Sequence, residues 1–246
     1  MISAVFHHLI YLPIYNGLVF FVDLIPTHDI GIAVVIVTVV VRFILYPLSK
    51  RAIKAQADMK AVQPEIDAIR KRIKDASEQS KAIIELYRER GIRPFAGLLL
   101  LLIQLPILFG LYWVFARGGF PIVHAEYLYS FVRIPDAVNM EFLGLIDMAH
   151  RSVALAVLAM ITHFIYTRLS MGPRGSATPV EAVEQSFSTD MAKSFDLQAR
   201  YVLPLIVGVI SLSVAAAAPL YWTAGNIFMI AQELLMGRRF DGSRKV

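Results

Sequence analysis

Residues Gly31 to Leu48 form an apolar run long enough to cross a bilayer, and one charge, Arg42, interrupts it. The hydrocarbon core is roughly 30 Å thick, so a helical span needs about 20 apolar residues. An arginine inside such a span costs roughly 2.5–3.5 kcal/mol on insertion scales. A residue at that depth faces protein or water rather than lipid, and by default it marks a functional site.

The rest of the chain reads the same way. Of 246 residues, 57% are hydrophobic and only 17% charged, which places the chain among polytopic membrane proteins with one membrane domain. It contains no cysteine, so disulfides, thiol catalysis, thiolate metal sites and a lipidated cysteine are all excluded. The first thirty residues carry no Lys or Arg and so lack the charged region of a cleavable signal.

Five segments have the length and apolarity of spans: 30–49, 96–116, 151–169, 201–218 and 219–236. The last two run on as one apolar stretch, too long for a single crossing at 1.5 Å per residue, so a tight turn is expected near Ala217–Pro219. The segment 117–149 has two Lys/Arg against four acids, whereas 50–96 has twelve against seven and 237–246 has four against one. The positive-inside rule puts the N-terminus outside and the C-terminus in the cytoplasm. An odd number of spans agrees.

Residues 1–28 combine a helical apolar stripe (Phe6, Leu9, Ile10, Ile14, Leu18, Phe21, Val22) with His7, His8, Asn16, Gly17 and Asp23. An amphipathic helix on the outer membrane surface is expected there, with a sixth span as the alternative. His7 and His8 lack the further partners of a metal site. In 50–95, Met59, Val62, Ile66, Ile69 and Ile73 recur at helical spacing, and Pro64 should kink or restart the helix. Asp75 and Glu78 have capping-box spacing for a second helix, with Ile83, Ile84 and Tyr87 on its apolar face and Gly91 to end it. The expectation is a basic cytosolic helical hairpin. The alternative is a charged loop that enforces topology; the basic face also suits polyanions such as ribosomes or lipid headgroups.

Helix rise gives each polar residue a depth. Arg42, Gln104, Thr162, His163, Gln232 and Glu233 all fall roughly 6–10 Å inside the cytosolic edge of their spans. A hydrated pocket open to the cytosol would explain one polar layer contributed by four spans and would reduce the cost of a charged Arg42. The competing arrangement has Arg42 snorkelling to the headgroups and Glu233 paired with Arg238.

Several blocks resemble the YidC/Oxa/Alb membrane protein insertases. They are Val41-Arg42-Phe43-Ile44-Leu45-Tyr46-Pro47-Leu48, Gln63-Pro64-Glu65-Ile66, Pro94-Phe95-Ala96-Gly97 and Leu102-Ile103-Gln104-Leu105-Pro106-Ile107. Phe142-Leu143 with Asp147, Leu203-Pro204, and Leu220-Tyr221-Trp222 with Asn226 and Gln232 continue the match. The resemblance covers nearly the whole chain and looks like a short bacterial member without the large outer domain. It implies an all-α membrane protein with five transmembrane helices, the cytosolic hairpin and the interfacial helix, set in the bacterial inner membrane. It also implies a substrate groove around Arg42 that receives nascent membrane proteins and releases them into lipid, with Gln104, Thr167 and Trp222 at or near its lining. Partners implied are the ribosome, the Sec translocon and targeting factors. Two departures are Val214-Ala215-Ala216-Ala217 where the family usually has a Phe-Pro-x-Gly turn, and a long inner loop over 170–200, with Gly172-Pro173 and a Ser/Thr/Gly-rich stretch at 174–179, expected to be flexible.

No phosphate-binding loop and no nucleophile–base set is present in the sequence, so neither an enzyme nor a cofactor site is expected. A small-solute transporter with an intramembrane arginine is the alternative. It would favour an internal repeat, which the sequence lacks.

Overall fold

In a membrane every backbone N–H and C=O must be satisfied within its own segment, which makes helices the default for this composition. The computed structural model describes residues 4–93, 96–116, 120–172 and 197–240. The 174–179 stretch and the end of the basic tail, Arg244 and Lys245, lie outside the described residues.

The chain divides into two compact units, Met1–Arg42 with Ile107–Val246, and Phe43–Pro106. The helices are α1 (Ala4–Leu24), α2 (Ile30–Ile44), α3 (Tyr46–Ala61), α4 (Gln63–Arg72), α5 (Ala76–Glu89), α6 (Ala96–Ala116), α7 (Val153–Met171), α8 (Leu203–Ser211) and α9 (Ala217–Leu235). By length and composition α1 and α7 could each cross a membrane, α2 with α3 could do so if counted as one broken span, and Leu102–Ala116 and Arg200–Ser211 are shorter apolar helices.

Two boundaries differ from expectation. The span expected over 30–49 breaks at Leu45, because Pro47 begins α3 within its first turn, where a missing N–H costs no helical bond. The turn expected at Ala217–Pro219 lies earlier, over 212–216. Pro219 falls in the first turn of α9, and the turn is held by Ala216 N–H donating to His150 O (2.8 Å) and Ala217 N–H to Met148 O (3.4 Å).

In the first unit α1 buries Tyr11, Ile14, Tyr15, Leu18, Val19 and Val22 and leaves Val5, Leu9 and Leu24 exposed. Its core partners are Ile30, Ala33 and Val34 of α2, Leu111 and Val114 of α6, Leu155 of α7, and Ala216, Ala217, Leu220 and Tyr221 at the start of α9. The polar residue that seemed to interrupt α1 is accommodated. Asn16 is buried, donates to Leu12 O (2.9 Å) and Tyr127 O (2.8 Å), and accepts from Tyr129 N–H (2.6 Å).

A short antiparallel pair, β1 (Glu141–Phe142) and β2 (Ile146–Asp147), adds a feature that helical periodicity did not show. Its turn uses Leu143 and Gly144 at φ 54° and 67°. The buried Asp29 anchors it: one oxygen accepts from Ile32 N–H (3.0 Å) at the start of α2, the other from Leu143 N–H (2.7 Å). Gly31 lets Phe142 pack directly on α2, since a β-carbon there would lie 2.5 Å from the ring.

In the second unit, Val62, Ile66, Leu86 and Ile92 form a small core with Met59, Ile69, Ile83 and Tyr87 against it. Pro64 sits in the first turn of α4, and Asp75 caps α5 by accepting from Glu78 N–H (2.8 Å). Gln79 Nε2 donates to Ile73 O (2.6 Å), and Arg90 grips Glu65 through both carboxylate oxygens (2.8 and 2.9 Å). Ile84 is a correction: it is 66% exposed, because the buried stripe of α5 runs through Ile83, Leu86 and Tyr87 and leaves the adjacent position about 100° away.

Candidate functional site

The polar positions of α2, α7 and α9 come together within the first unit. Arg42 lies near the end of α2, one turn after the buried Thr38, whose hydroxyl donates to Val34 O (2.6 Å). The guanidinium is half-buried and rests on α9 at Gly225, where a β-carbon would lie 2.6 Å from Nη2. Tyr166 and Tyr221 are both within electrostatic range of it. Among the described residues Arg42 forms no salt bridge.

One residue beyond Gly225, the buried Asn226 donates to Thr162 Oγ1 (3.3 Å). Thr162 in turn donates to Leu158 O (2.8 Å), so it is anchored on its own helix. Further along α9, the fully buried Glu233 pairs with Arg238 Nε at 3.0 Å. Arg238 also donates to Ser170 O near the end of α7, and Arg200 donates to Met171 O and Gly172 O there.

The residues expected to line a site therefore divide. Arg42 and Thr162 meet adjacent residues of α9, Gly225 and Asn226, and His163 follows Thr162 on α7 with its Nε2 buried. Thr167 is buried and its hydroxyl donates to His163 O (2.8 Å), so that group is already used locally. Gln232 is buried beside Glu233. Trp222 packs against the hydrophobic core that α1 shares. Gln104 is half-buried on α6 and belongs to the second unit. Glu233 has the pairing with Arg238 that was the competing expectation.

Gly225, Tyr166 and Ser170 escaped the reading of the sequence. A glycine in mid-helix costs roughly 0.5–1 kcal/mol relative to alanine, and that cost was the available signal at Gly225. No group of three or more His, Asp or Glu among the described residues could hold a metal ion. A cavity of about 300 Å³ lies elsewhere, lined by Tyr112, Phe115, Ala149, Ser213 and Ala217 among others, and includes none of these residues.

A family model described as 60Kd inner membrane protein matches residues 20–243. The chain is 29% identical to the membrane protein insertase YidC of Oceanobacillus iheyensis over 214 residues, 85% of this chain and 74% of the relative. It is 30% identical to that of Clostridium tetani over 211 residues, 85% of this chain and 82% of the relative. The YidC of Francisella tularensis subsp. novicida is 28% identical over 87% of this chain, which spans about a third (34%) of that longer protein. A crystal structure of an active YidC insertase with its first transmembrane domain resolved superposes with a TM-score of 0.56, at 24% identity, over 90% of this chain and 45% of that one. That likeness speaks to the fold alone. The match to the family model runs through almost the whole chain, including the Arg42 helix and the α7 and α9 residues gathered around it, and the chain belongs to the YidC/Oxa/Alb family of membrane proteins.

Proposed function

We propose that this chain is a membrane protein insertase and chaperone that receives nascent membrane proteins with short translocated tails in a hydrophilic groove open to cytosol and lipid, releases them into lipid and helps them fold, without nucleotide hydrolysis. The observation that carries the reading is Arg42, whose guanidinium lies on Gly225 with no salt bridge among the described residues. Evolutionary relatives named insertases support the same reading, and solute transport is not retained.

In this proposal five helices span the inner membrane with the N-terminus outside, the C-terminus cytoplasmic and the basic hairpin of α4 and α5 in the cytosol. The packing of α1 supports an interfacial place for that helix: its core partners are the halves of α2, α6, α7 and α9 that the charge rule places outside. Arg42, Gln104, Thr162, His163, Thr167, Trp222 and Gln232 contribute to the groove. Ribosome, Sec translocon and targeting factors are the proposed partners.

Insertion is driven by the substrate, at roughly 25 cal/mol per Å² of apolar surface leaving water. The groove shortens the apolar path for a polar tail, and Arg42 attracts the tail's acidic groups more strongly at lower local dielectric. The test is insertion of a single-span protein with an acidic translocated tail by Arg42→Lys, Arg42→Ala and Arg42→Glu variants. Lysine should retain most activity and glutamate the least. Full activity of the glutamate variant would overturn the electrostatic role.

A further inference from the structure

The turn between β1 and β2 carries apolar side chains that the fold does not bury. Phe142 and Ile146 pair across the strands and pack against the core, whereas Leu143 and Leu145 between them are 62% and 82% exposed. Tight turns in water favour Gly, Asn and Asp. Leu143 also holds φ at 54°, a left-handed conformation that costs a leucine more than it costs Asn or Gly. Neither the core nor the backbone accounts for leucine at these two positions.

The hairpin is fixed at the level where two apolar helices begin. Asp29 accepts from Leu143 N–H (2.7 Å) and from Ile32 N–H (3.0 Å), and Asn139 O accepts from Ile30 N–H (3.0 Å). The turn is thereby bonded to the first turn of α2. After β2 the chain enters α7, which is long and apolar enough to cross a membrane. Val153, Val157 and Ile161 recur there at four-residue steps and are 67%, 43% and 46% exposed, an apolar stripe of the kind that faces lipid. The exposed leucines of the turn continue that apolar surface past the start of the helices. Between Asn139 and His150 the chain has no Lys or Arg but does have Glu141 and Asp147, so apolar area, not charge attraction, is what the turn offers a partner.

We propose that the β1–β2 turn is a lipid anchor, with Leu143 and Leu145 entering the headgroup–acyl boundary of the leaflet in which α2 and α7 begin. The inference rests on the reading of those two helices as membrane spans. Lipid removes from water the apolar area of both leucines, which the protein itself leaves uncovered. Through Asp29 the anchored turn also holds the start of α2 at a fixed depth.

The chain has no cysteine, so Leu143→Cys and Leu145→Cys each give a single attachment point for a nitroxide label. The labelled full chain is reconstituted in phosphatidylcholine–phosphatidylglycerol vesicles. Collision of the label with oxygen, which concentrates in hydrocarbon, is compared with collision with a water-soluble nickel chelate. Lys81→Cys on the exposed face of α5 supplies the aqueous reference, and Ile161→Cys, midway along α7, the hydrocarbon one. At 143 and 145 the oxygen-to-nickel ratio should lie well above that at Lys81 and below that at Ile161. A ratio at either position equal to that at Lys81 overturns the proposal, because the turn is then in water. Low collision with both reagents overturns it as well, since a second copy or another protein then covers the turn. The Ile161 label separates the anchor from the span reading. Free nickel access there overturns the placement of α7 and the anchor with it, whereas a hydrocarbon ratio at Ile161 with an aqueous one at the turn sinks only the anchor. If one leucine variant fails to accumulate, the other decides.

Discussion

The guanidinium of Arg42 occupies the space that a side chain at position 225 would need: a β-carbon on Gly225 would stand 2.6 Å from Nη2, 3.2 Å from Nε and 3.3 Å from Cζ. Small size at 225 is thus a condition for the arginine's present place. The atoms in the way are the far end of a flexible side chain, so substitution should move the arginine rather than break the fold.

Gly225→Ala is therefore expected to leave thermal stability unchanged or raised, because alanine favours the helix by roughly 0.8–1 kcal/mol. Insertion of an acidic-tail substrate should fall nonetheless, and further for Gly225→Leu. Complementation alongside a melting curve of the purified protein checks both halves. Full activity of the leucine variant would refute the dependence of Arg42 on this contact.

Asn16 is expected to hold the 120–132 segment to α1. Asn16→Ala leaves Tyr127 O and Tyr129 N–H without their partner, and a lost buried partner costs about 1–3 kcal/mol. A lower melting temperature with faster proteolysis within 120–132 is the outcome to look for. An unchanged cleavage rate would show that the aromatic contacts of Tyr127 with Tyr11 and Tyr15 suffice.

Asp147 gives a pH signature outside the spans. Partial burial would raise its pKa, but Ala149 N–H (2.7 Å) and the His150 ring (2.9 Å) hold the carboxyl below its ordinary value. A depressed folded pKa contributes stability above the unfolded value, and that contribution is lost as pH falls through the folded one. The parent should thus melt slightly above Asp147→Asn at neutral pH, with the gap closing once pH drops below the usual carboxylate range. A gap that persists at low pH would contradict the assignment.

In the second unit the cap and the surface ion pair should differ in weight. Asp75→Ala removes the Glu78 N–H acceptor and is expected to cost about 1 kcal/mol. Arg90→Ala removes an exposed pair with Glu65, of the kind worth about 0–1 kcal/mol. Hydrogen exchange over 76–89 in the intact protein should accelerate more for Asp75→Ala, and the reverse order would count against the cap.

The helices were legible in the sequence because their causes are local. Apolar length, Pro64 in a first turn, and Asp75 three residues before Glu78 all act within one or two turns, whereas Pro47 and Pro219, also in first turns, mark the two boundaries that were expected elsewhere. Helix rise alone gave the expectation that Arg42, Thr162, His163 and Gln232 share one depth, because that estimate needs no knowledge of packing. What the layer is made of was not. Gly225 meeting Arg42, Asn226 meeting Thr162 and Asn16 meeting Tyr127 and Tyr129 join residues far apart in the chain, 64 positions at the least, and no spacing rule links such pairs. The sequence offered Glu233 either to Arg42's locale or to Arg238. Tertiary structure alone decided for Arg238, because the chain after α9 turns back at Gly237 (φ 80°) and brings that guanidinium against the end of α7.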